Sequence, residues 1–411
     1  MTRILIIADD LTGALDSGVQ FSAKGMSVIV SVELHVGLEA IRKEQAEVFV
    51  FDTESRHISR SEAGKRIKEV IKEAKDYDFD FIYKKTDSTL RGNVGSELEA
   101  LIDATDVKAL PFVPAWPENK RTVKDGILYV DGVELKDTGF AKDPLNPISR
   151  SDIVGILKDN GASKAKNVKP GEYADCEKSI IVYDAQTDED LINISKVLKE
   201  NENLKVTAGC AKFAEILVDA FDLEKEKKNF ETSSDIGKML VVCGSLNEVS
   251  HKQIKYAKEI LGYNEMTLPQ GILLADDKQK EQELIQLAEE TAEAFEKETL
   301  MIKTLPVIHA ASLTPEENSL ICKQIAVNIG HFTKIIIQKG AVSTLVVFGG
   351  DTLLEVLKRL SVFSLRPQKE IALGVVLSHI EYEGRKLNLI TKAGGFGEEN
   401  VLYTVRQYLN K

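Results

Sequence analysis

Short apolar runs alternate with longer amphipathic stretches along almost the whole chain, which leaves few architectures open. Ile4–Ala8, Ser27–Val32, Val48–Phe51 and Phe79–Tyr83 read as strands, while Ser59–Lys75 and Val94–Ala104 carry a helical period. Strands alternating with helices of that length imply βαβ units and a mostly parallel sheet. The pattern resumes after a charged, aperiodic stretch, Asp222–Gly237, with strands at Met239–Cys243 and Thr344–Phe348 and helical patterns at Asp277–Glu298 and Thr314–Ile329. The expected fold is therefore α/β in two domains, 1–225 and 238–411, each a mostly parallel sheet with flanking helices. The expected active-site cleft lies between them. Asp131-Gly132, between Ile127–Val130 and Val133–Leu135, is a two-residue hairpin signal. The stretch that follows, Thr138–Ser149, reads as a surface loop able to close over a site.

With 411 residues, each half is long enough to bury its own core. The 65 acidic and 53 basic side chains give a net charge of −12. That balance argues against broad nucleic-acid or anionic-membrane binding, though it leaves room for a local basic pocket. Cys176, Cys210, Cys243 and Cys322 have no C-x-x-C spacing, and the six histidines show no metal-ligand spacing, so neither a disulfide framework nor a zinc site is expected. The opening apolar run stops at Asp9, too short for a signal sequence, and no later run reaches the length of a membrane span. A cytoplasmic protein is the expectation.

In open α/β sheets, ligands bind beyond the carboxyl ends of the strands. Asp9-Asp10-Leu11-Thr12-Gly13 follows the first strand: either the two acids serve substrate hydroxyls, Mg²⁺ or a proton, or Asp10 or Thr12 caps the next helix. Lys84 to Asn93 follows Phe79–Tyr83 and suits a polyhydroxylated carboxylate. Arg91 offers a planar fork and Lys85 a compact cation, while Asp87 and Ser88 can take hydroxyls. A solvated loop with a helix cap is the plainer alternative.

Three glycine-bearing turns follow strands of the second half: Gly244-Ser245, Gly349-Gly350-Asp351-Thr352 before a helix starting near Leu353, and Lys392-Ala393-Gly394-Gly395. Each is either an ordinary strand-to-helix turn or a phosphate cradle. Together they make the second half a plausible nucleotide site. None is a Walker A loop, since no G-x-x-x-x-G-K-[ST] occurs, and no G-x-G-x-x-G follows the first strand.

These blocks, in this order, resemble the four-carbon acid sugar kinase family over nearly the whole chain. The likeness rests on ADDLTGA at Ala8–Ala14, KKTDSTLRGN at Lys84–Asn93, Gly244-Ser245, GGDT at Gly349–Thr352 and KAGGFG at Lys392–Gly397. The resemblance implies an N-terminal sugar-acid domain and a C-terminal nucleotide domain that together phosphorylate the 4-hydroxyl of a tetronate. By position, Asp9, Asp10, Lys85, Asp87 and Arg91 go to the sugar acid, with Ser88 beside them. Ser245, Gly349, Gly350, Asp351, Thr352, Lys392, Gly394 and Gly395 go to ATP. Asn247 departs from the small hydroxyl residue expected there.

The implied reaction uses ATP and Mg²⁺, with either Asp10 or Asp87 accepting the hydroxyl proton as the domains close. D-Threonate is the favoured acceptor, ahead of D-erythronate or a 3-oxo-tetronate, and a homodimer is the commonest closed assembly. A haloacid-dehalogenase-like phosphatase is a weaker reading because the acids are adjacent rather than D-x-D. A non-catalytic sugar-acid sensor or an NAD-dependent dehydrogenase would give the glycine turns less to do.

Overall fold

The computed structural model describes residues 2–33, 46–143, 146–221, 223, 237–274, 278–295, 299–305 and 314–410. The chain divides into two compact units, Met1–Lys228 and Asn229–Lys411. The stretch expected as a linker, Asp222–Gly237, lies outside the described residues apart from Leu223 and Gly237, as do His35, His309 and Pro144.

The first unit is built on β1 (Ile4–Ala8), β2 (Val28–Ser31), β3 (Val48–Asp52), β4 (Phe81–Lys85) and β5 (Ala109–Val113). A small antiparallel sheet follows, β6 (Arg121–Lys124), β7 (Ile127–Val130) and β8 (Val133–Glu134), before β9 (Ala165–Val168), β10 (Ser179–Tyr183) and β11 (Val206–Gly209). The main sheet runs β2-β3-β1-β4-β11-β5-β10-β9, and all its pairs are parallel. All five residues of β1 are buried, as expected of a parallel strand covered on both faces. Its helices are α1 (Leu11–Ala23), α2 (Arg60–Ala74), α3 (Val94–Thr105), α4 (Ile153–Asp159), α5 (Asp188–Glu200) and α6 (Ala211–Ala220). In α3, Val94, Leu98, Leu101 and Ile102 form one buried stripe at helical spacing. Truncating a buried Leu98 to Ala would cost about 3 kcal/mol. The Asp131-Gly132 hairpin is present, both residues having positive φ, 51° and 78°.

The second unit contains β12 (Lys238–Cys243), β13 (Asn264–Thr267), β14 (Thr299–Lys303), β15 (Val342–Phe348), β16 (Ser364–Ala372), β17 (Val375–Tyr382) and β18 (Arg385–Lys392). Its order is β13-β14-β12-β15-β18-β17-β16. The first five strands are parallel, and β18-β17-β16 is an antiparallel meander that the sequence reading did not resolve. Its helices are α7 (Glu248–Ile260), α8 (Gln270–Leu273), α9 (Lys278–Glu293), α10 (Pro315–Lys339), α11 (Gly350–Leu360) and α12 (Val401–Leu409).

Contrary to expectation, α10 is long and apolar enough to pass a membrane-span test by length and composition. It packs against α9 and α11, and Ala326, Ile329, Phe332, Ile336 and Ile337 are buried, the pattern of a core helix.

The two units wind alike. In each, the chain passes from its first strand to an outer one, returns beside the first, then crosses to the first strand's other side: β2-β3-β1-β4 and β13-β14-β12-β15. The crossing defines a switch point, between β1 and β4 in one unit and between β12 and β15 in the other. Asp9-Asp10 follow β1, and Thr86-Asp87 follow β4, which runs on to Lys85 instead of ending at Tyr83 as expected, so that Lys84 and Lys85 are strand residues; Gly244-Ser245 and Gly349-Gly350 follow the second pair.

Candidate active site

At the β1 end, Asp10 leaves the strand in extended conformation and caps α1, its Oδ1 accepting from Gly13 N at 2.9 Å. Thr12 is inside the helix and donates its hydroxyl to Asp10 Oδ2 at 2.6 Å, so Asp10 rather than Thr12 is the cap. Asp10 also does more than cap. Arg56, four residues beyond β3, donates Nε to Asp9 Oδ2 at 2.7 Å and Nη1 to Asp10 Oδ2 at 2.8 Å. Its Nη2 lies 3.8 Å from Asp87 Oδ1. One guanidinium thus meets three carboxylates.

Asp87 is saturated with donors. Its Oδ2 accepts from the backbone and hydroxyl of Thr89 and from Arg91 N and Nε, while Oδ1 accepts from Arg91 Nη2 at 2.9 Å. Burial pushes the Asp87 carboxyl up, but Arg91 and Arg56 together hold it well below the usual carboxylate range. Asp9 behaves likewise: burial raises it, and Arg56, Lys84 and Lys85 outweigh that effect. The neighbouring Asp52, at the end of β3, is pushed well up by burial and then by Glu54.

Arg91 turns its remaining nitrogen, Nη1, to Asp143 at 3.4 Å, and its guanidinium lies 5.4 Å from the centre of the Phe140 ring. Lys85 is buried, with Nζ beside the first turn of α1, only 2.7 Å from where a Gly13 side chain would begin. Among the described residues, Nζ has no hydrogen-bond or ion-pair partner. Ser88 is buried in the same loop. Behind the site, Lys84 Nζ pairs with Glu97 Oε2 at 3.1 Å and donates to the Lys85 carbonyl at 2.8 Å.

In the second unit the three glycine turns converge. A Cβ on Gly244 would lie 2.0 Å from Thr352 Oγ1, and one on Gly394 would lie 2.8 Å from Ser245 Oγ. Those positions are already taken by the Thr352 and Ser245 hydroxyls, so the three turns pack together at a distance only glycine allows. Gly349, not Asp351, is the N-cap of α11, with φ of 107°, a conformation that glycine adopts readily. The helix begins at Gly350 rather than near Leu353, which places Gly350, Asp351 and Thr352 in the first turn. Their amides have no intrahelical acceptor and are suited to an anion.

Lys392 is the last residue of β18 rather than the first after it. Its buried ammonium donates to Ser250 Oγ at 3.1 Å, Gly394 O at 2.9 Å and Phe396 O at 3.2 Å. Burial lowers its pKa to about 8. Asn247 caps α7 by accepting from Val249 N at 2.9 Å, a role open to Asn as well as to a hydroxyl residue.

Residues 4–217 match the family model of a sugar-binding N-terminal domain, and residues 240–402 that of a nucleotide-binding C-terminal domain. A D-threonate kinase of Salmonella typhimurium is 28% identical, with 100% of this chain and 99% of that protein aligned. A D-threonate kinase of Bordetella bronchiseptica is also 28% identical, over 99% and 97% of the two chains. A D-erythronate kinase of Heliobacterium modesticaldum is 26% identical, over 100% and 97%.

The chain belongs to the four-carbon acid sugar kinase family.

As a member of that family it is a phosphotransferase acting on a hydroxyl of a sugar acid. A solved Haemophilus influenzae structure shares the fold of this kinase, with a TM-score of 0.69 at 21% identity over 98% of this chain and 100% of that one. So does a Salmonella typhimurium structure described as a tRNA synthase, at 0.78 and 20% over 99% and 100%.

Within its first unit, the kinase brings Asp9, Asp10, Asp87 and Arg91 around Arg56, a residue the sequence reading passed over. The signal was available: Arg56 stands in the turn after β3, where the strand-end rule looks. Ser250 and Gln253 were also missed. Gln253 Nε2 lies within 3.0 Å of the Phe396, Gly397 and Glu398 carbonyls, and with Ser250 it fastens the third glycine turn to α7.

Proposed function

We propose that this kinase transfers the γ-phosphoryl group of ATP to the 4-hydroxyl of a four-carbon sugar acid, with D-threonate the favoured acceptor. D-Erythronate and 3-oxo-tetronates are the alternatives. The observation that carries the choice is full-length similarity to two proteins named D-threonate kinase, at 28% identity. In this reading the first domain, 1–225, takes the sugar acid and the second, 238–411, takes the nucleotide.

The acceptor carboxylate is assigned to Lys85 and Arg91, and its hydroxyls to Asp10, Asp87 and Ser88. Asp10 is the better proton acceptor of the two acids. It receives three hydrogen bonds where Asp87 receives five, and its side chain is the more exposed, 18% against 11%. Asp87 instead holds the Arg91 fork, and Asp9 holds Arg56.

The phosphates of ATP are assigned to the cradle formed by Ser245, Gly349, Gly350, Asp351, Thr352, Gly394 and Gly395. Lys392 supports it through the Gly394 carbonyl. Phosphoryl transfer asks chiefly for positioning and charge stabilisation, which these groups supply. Mg²⁺ neutralises charge on the transferring phosphates when bound. Among the described residues no group of three acidic, His or Cys side chains could hold it, so its ligands are expected to come largely from the nucleotide.

The test is ADP release with MgATP and a panel of C4 aldonic acids, glycerate and C5 acids. Turnover on one tetronate is the expected result. ATP binding with no turnover on any of them would move the acceptor outside this class. Phosphate release from sugar phosphates without ATP would favour the phosphatase reading instead.

A further inference from the structure

Three carboxylates crowd the end of β1 and β4, and such a group in a kinase invites a divalent cation. The geometry points to a different solution. We propose that Arg56 is the positioning residue of this half-site, its guanidinium taking, between Asp9, Asp10 and Asp87, the place a metal ion would occupy. The acceptor then binds here without metal. This proposal rests on the reading of the first unit as the sugar-acid site.

The contacts are specific. Nε and Nη1 reach Asp9 and Asp10 at 2.7 and 2.8 Å, the distances of charge-assisted hydrogen bonds, and Nη2 faces Asp87 at 3.8 Å. The Arg56 side chain is only 10% exposed, so its interactions are weakly screened. Its backbone is fixed as well: Arg56 N donates to the Asp9 carbonyl, and the Arg56 Cα and Cγ lie 3.3 and 3.0 Å from where a Gly92 side chain would begin.

Charge balance agrees. Asp9 Oδ2 and Asp10 Oδ2 point at the guanidinium, and Asp87 gives both oxygens to Arg91. A divalent ion seated there would have to displace Arg56 and leave a buried cation without its counter-charges, which costs several kcal/mol. Lys85, unpaired among the described residues, remains for the anion of the acceptor.

The experiment uses nucleotide-free protein. Mn²⁺ binding is followed by electron paramagnetic resonance in wild type, Asp10→Asn, Arg56→Ala and the double variant. D-Threonate and the other C4 acids are titrated calorimetrically in EDTA and in Mg²⁺. Asp10→Asn is expected to leave wild-type Mn²⁺ binding unchanged, while Arg56→Ala gains a Mn²⁺ site that the double variant lacks.

Acceptor affinity is expected to be the same in EDTA and Mg²⁺. Arg56→Ala should weaken it about 100-fold, millimolar guanidinium should restore it, and Arg56→Lys should keep part of it. A wild-type Mn²⁺ site lost in Asp10→Asn, acceptor binding that requires Mg²⁺, or unchanged affinity in Arg56→Ala would each overturn the proposal. If Arg56→Ala does not fold, the wild-type, Asp10→Asn and Arg56→Lys arms decide. If wild type binds no C4 acid in either buffer, the acceptor assignment fails, and the Mn²⁺ titrations still decide the role of Arg56.

Discussion

Lys84 and Glu97 form an ion pair of 3.1 Å, with side chains 0% and 1% exposed. Burying two charges is costly, and the pair persists because each ion has further partners: Ser55 donates to Glu97, and Lys84 donates to the Lys85 carbonyl. Asn93, at the entry to α3, donates to the Ser55 carbonyl and so ties the loop after β3 to the same network. The pair thereby ties the loop that carries Arg56 to the end of β4, where Lys85 stands.

Glu97→Gln should therefore destabilise the first unit strongly, by about 3–5 kcal/mol, because it leaves the Lys84 ammonium buried and uncompensated. Replacing both partners with apolar residues, as in Lys84→Met with Glu97→Leu, should recover most of that loss. Chemical denaturation of the single and double variants measures both numbers. Equal stabilities for wild type and Glu97→Gln would show that the pair contributes nothing.

Asp87 makes the acid limb of stability predictable. Its folded pKa lies well below the ordinary 3.8, because Arg91 and Arg56 outweigh the effect of burial. The stabilisation from a depressed carboxyl is fully present above its unfolded value and is lost as pH falls through the folded one. Wild type should therefore lose stability progressively below about pH 4. Asp87→Asn should be less stable at neutral pH by about 2–3 kcal/mol and should lose less on acidification. Thermal melts from pH 7 to pH 2 compare the two slopes, and parallel curves would contradict the assignment.

What could be read from the sequence was whatever is contiguous there. Asp9-Asp10, Lys85–Arg91 and the glycine turns each sit in one short block directly after an apolar run, so the strand-end rule finds them. Arg56 acquires its partners only when β3 pairs beside β1, which brings Asp9 and Asp10 within reach of a side chain 46 positions further on. Ser250 and Gln253 look like ordinary polar positions on an amphipathic helix until β18 carries the last turn back to them. The β16–β18 meander did leave a trace, the two-residue turn Glu383-Gly384 with φ of 49° and 73°, flanked by paired strands. Helix α10 runs ten residues past its expected end. Gly330 does not break it, because that residue packs against the α11 backbone, with its Cβ position 2.8 Å from Glu355 O.

Lys392 should reveal itself on the alkaline side. Burial lowers its folded pKa to about 8 from an ordinary 10.5. Between those values the unfolded chain binds more protons than the folded one, so this group makes stability rise with pH. A gap of that size corresponds to about 3 kcal/mol across the whole window. Lys392→Met should lack this rise, so the stability difference, wild type minus variant, should grow from pH 7.5 to pH 10.5. Denaturant titrations at several pH values, referred to Lys392→Met so that other lysines and tyrosines cancel, isolate the effect. A pH-independent difference would mean that Lys392 titrates normally.

Gly244 tests the nucleotide cradle most directly. Its missing side chain leaves the space into which Thr352 Oγ1 projects, 2.0 Å from the position a Cβ would take. Gly244→Ala must push apart the β12 turn and the first turn of α11, at a cost of about 1–3 kcal/mol. It should also displace the amides assigned to phosphate. ATP affinity should fall about tenfold or more, corresponding to at least about 1.4 kcal/mol, while binding of the sugar acid to nucleotide-free protein stays unchanged. Thr352→Ala in the same chain removes the closest contact, Oγ1, and Cγ2 with it, and keeps the Thr352 Cβ at 3.1 Å. Stability should then return in large part, whereas ATP affinity should return only as far as the Thr352 hydroxyl was dispensable. Calorimetric titration of both ligands into the single and double variants separates these terms. Unchanged ATP affinity in Gly244→Ala would place the phosphates away from this turn.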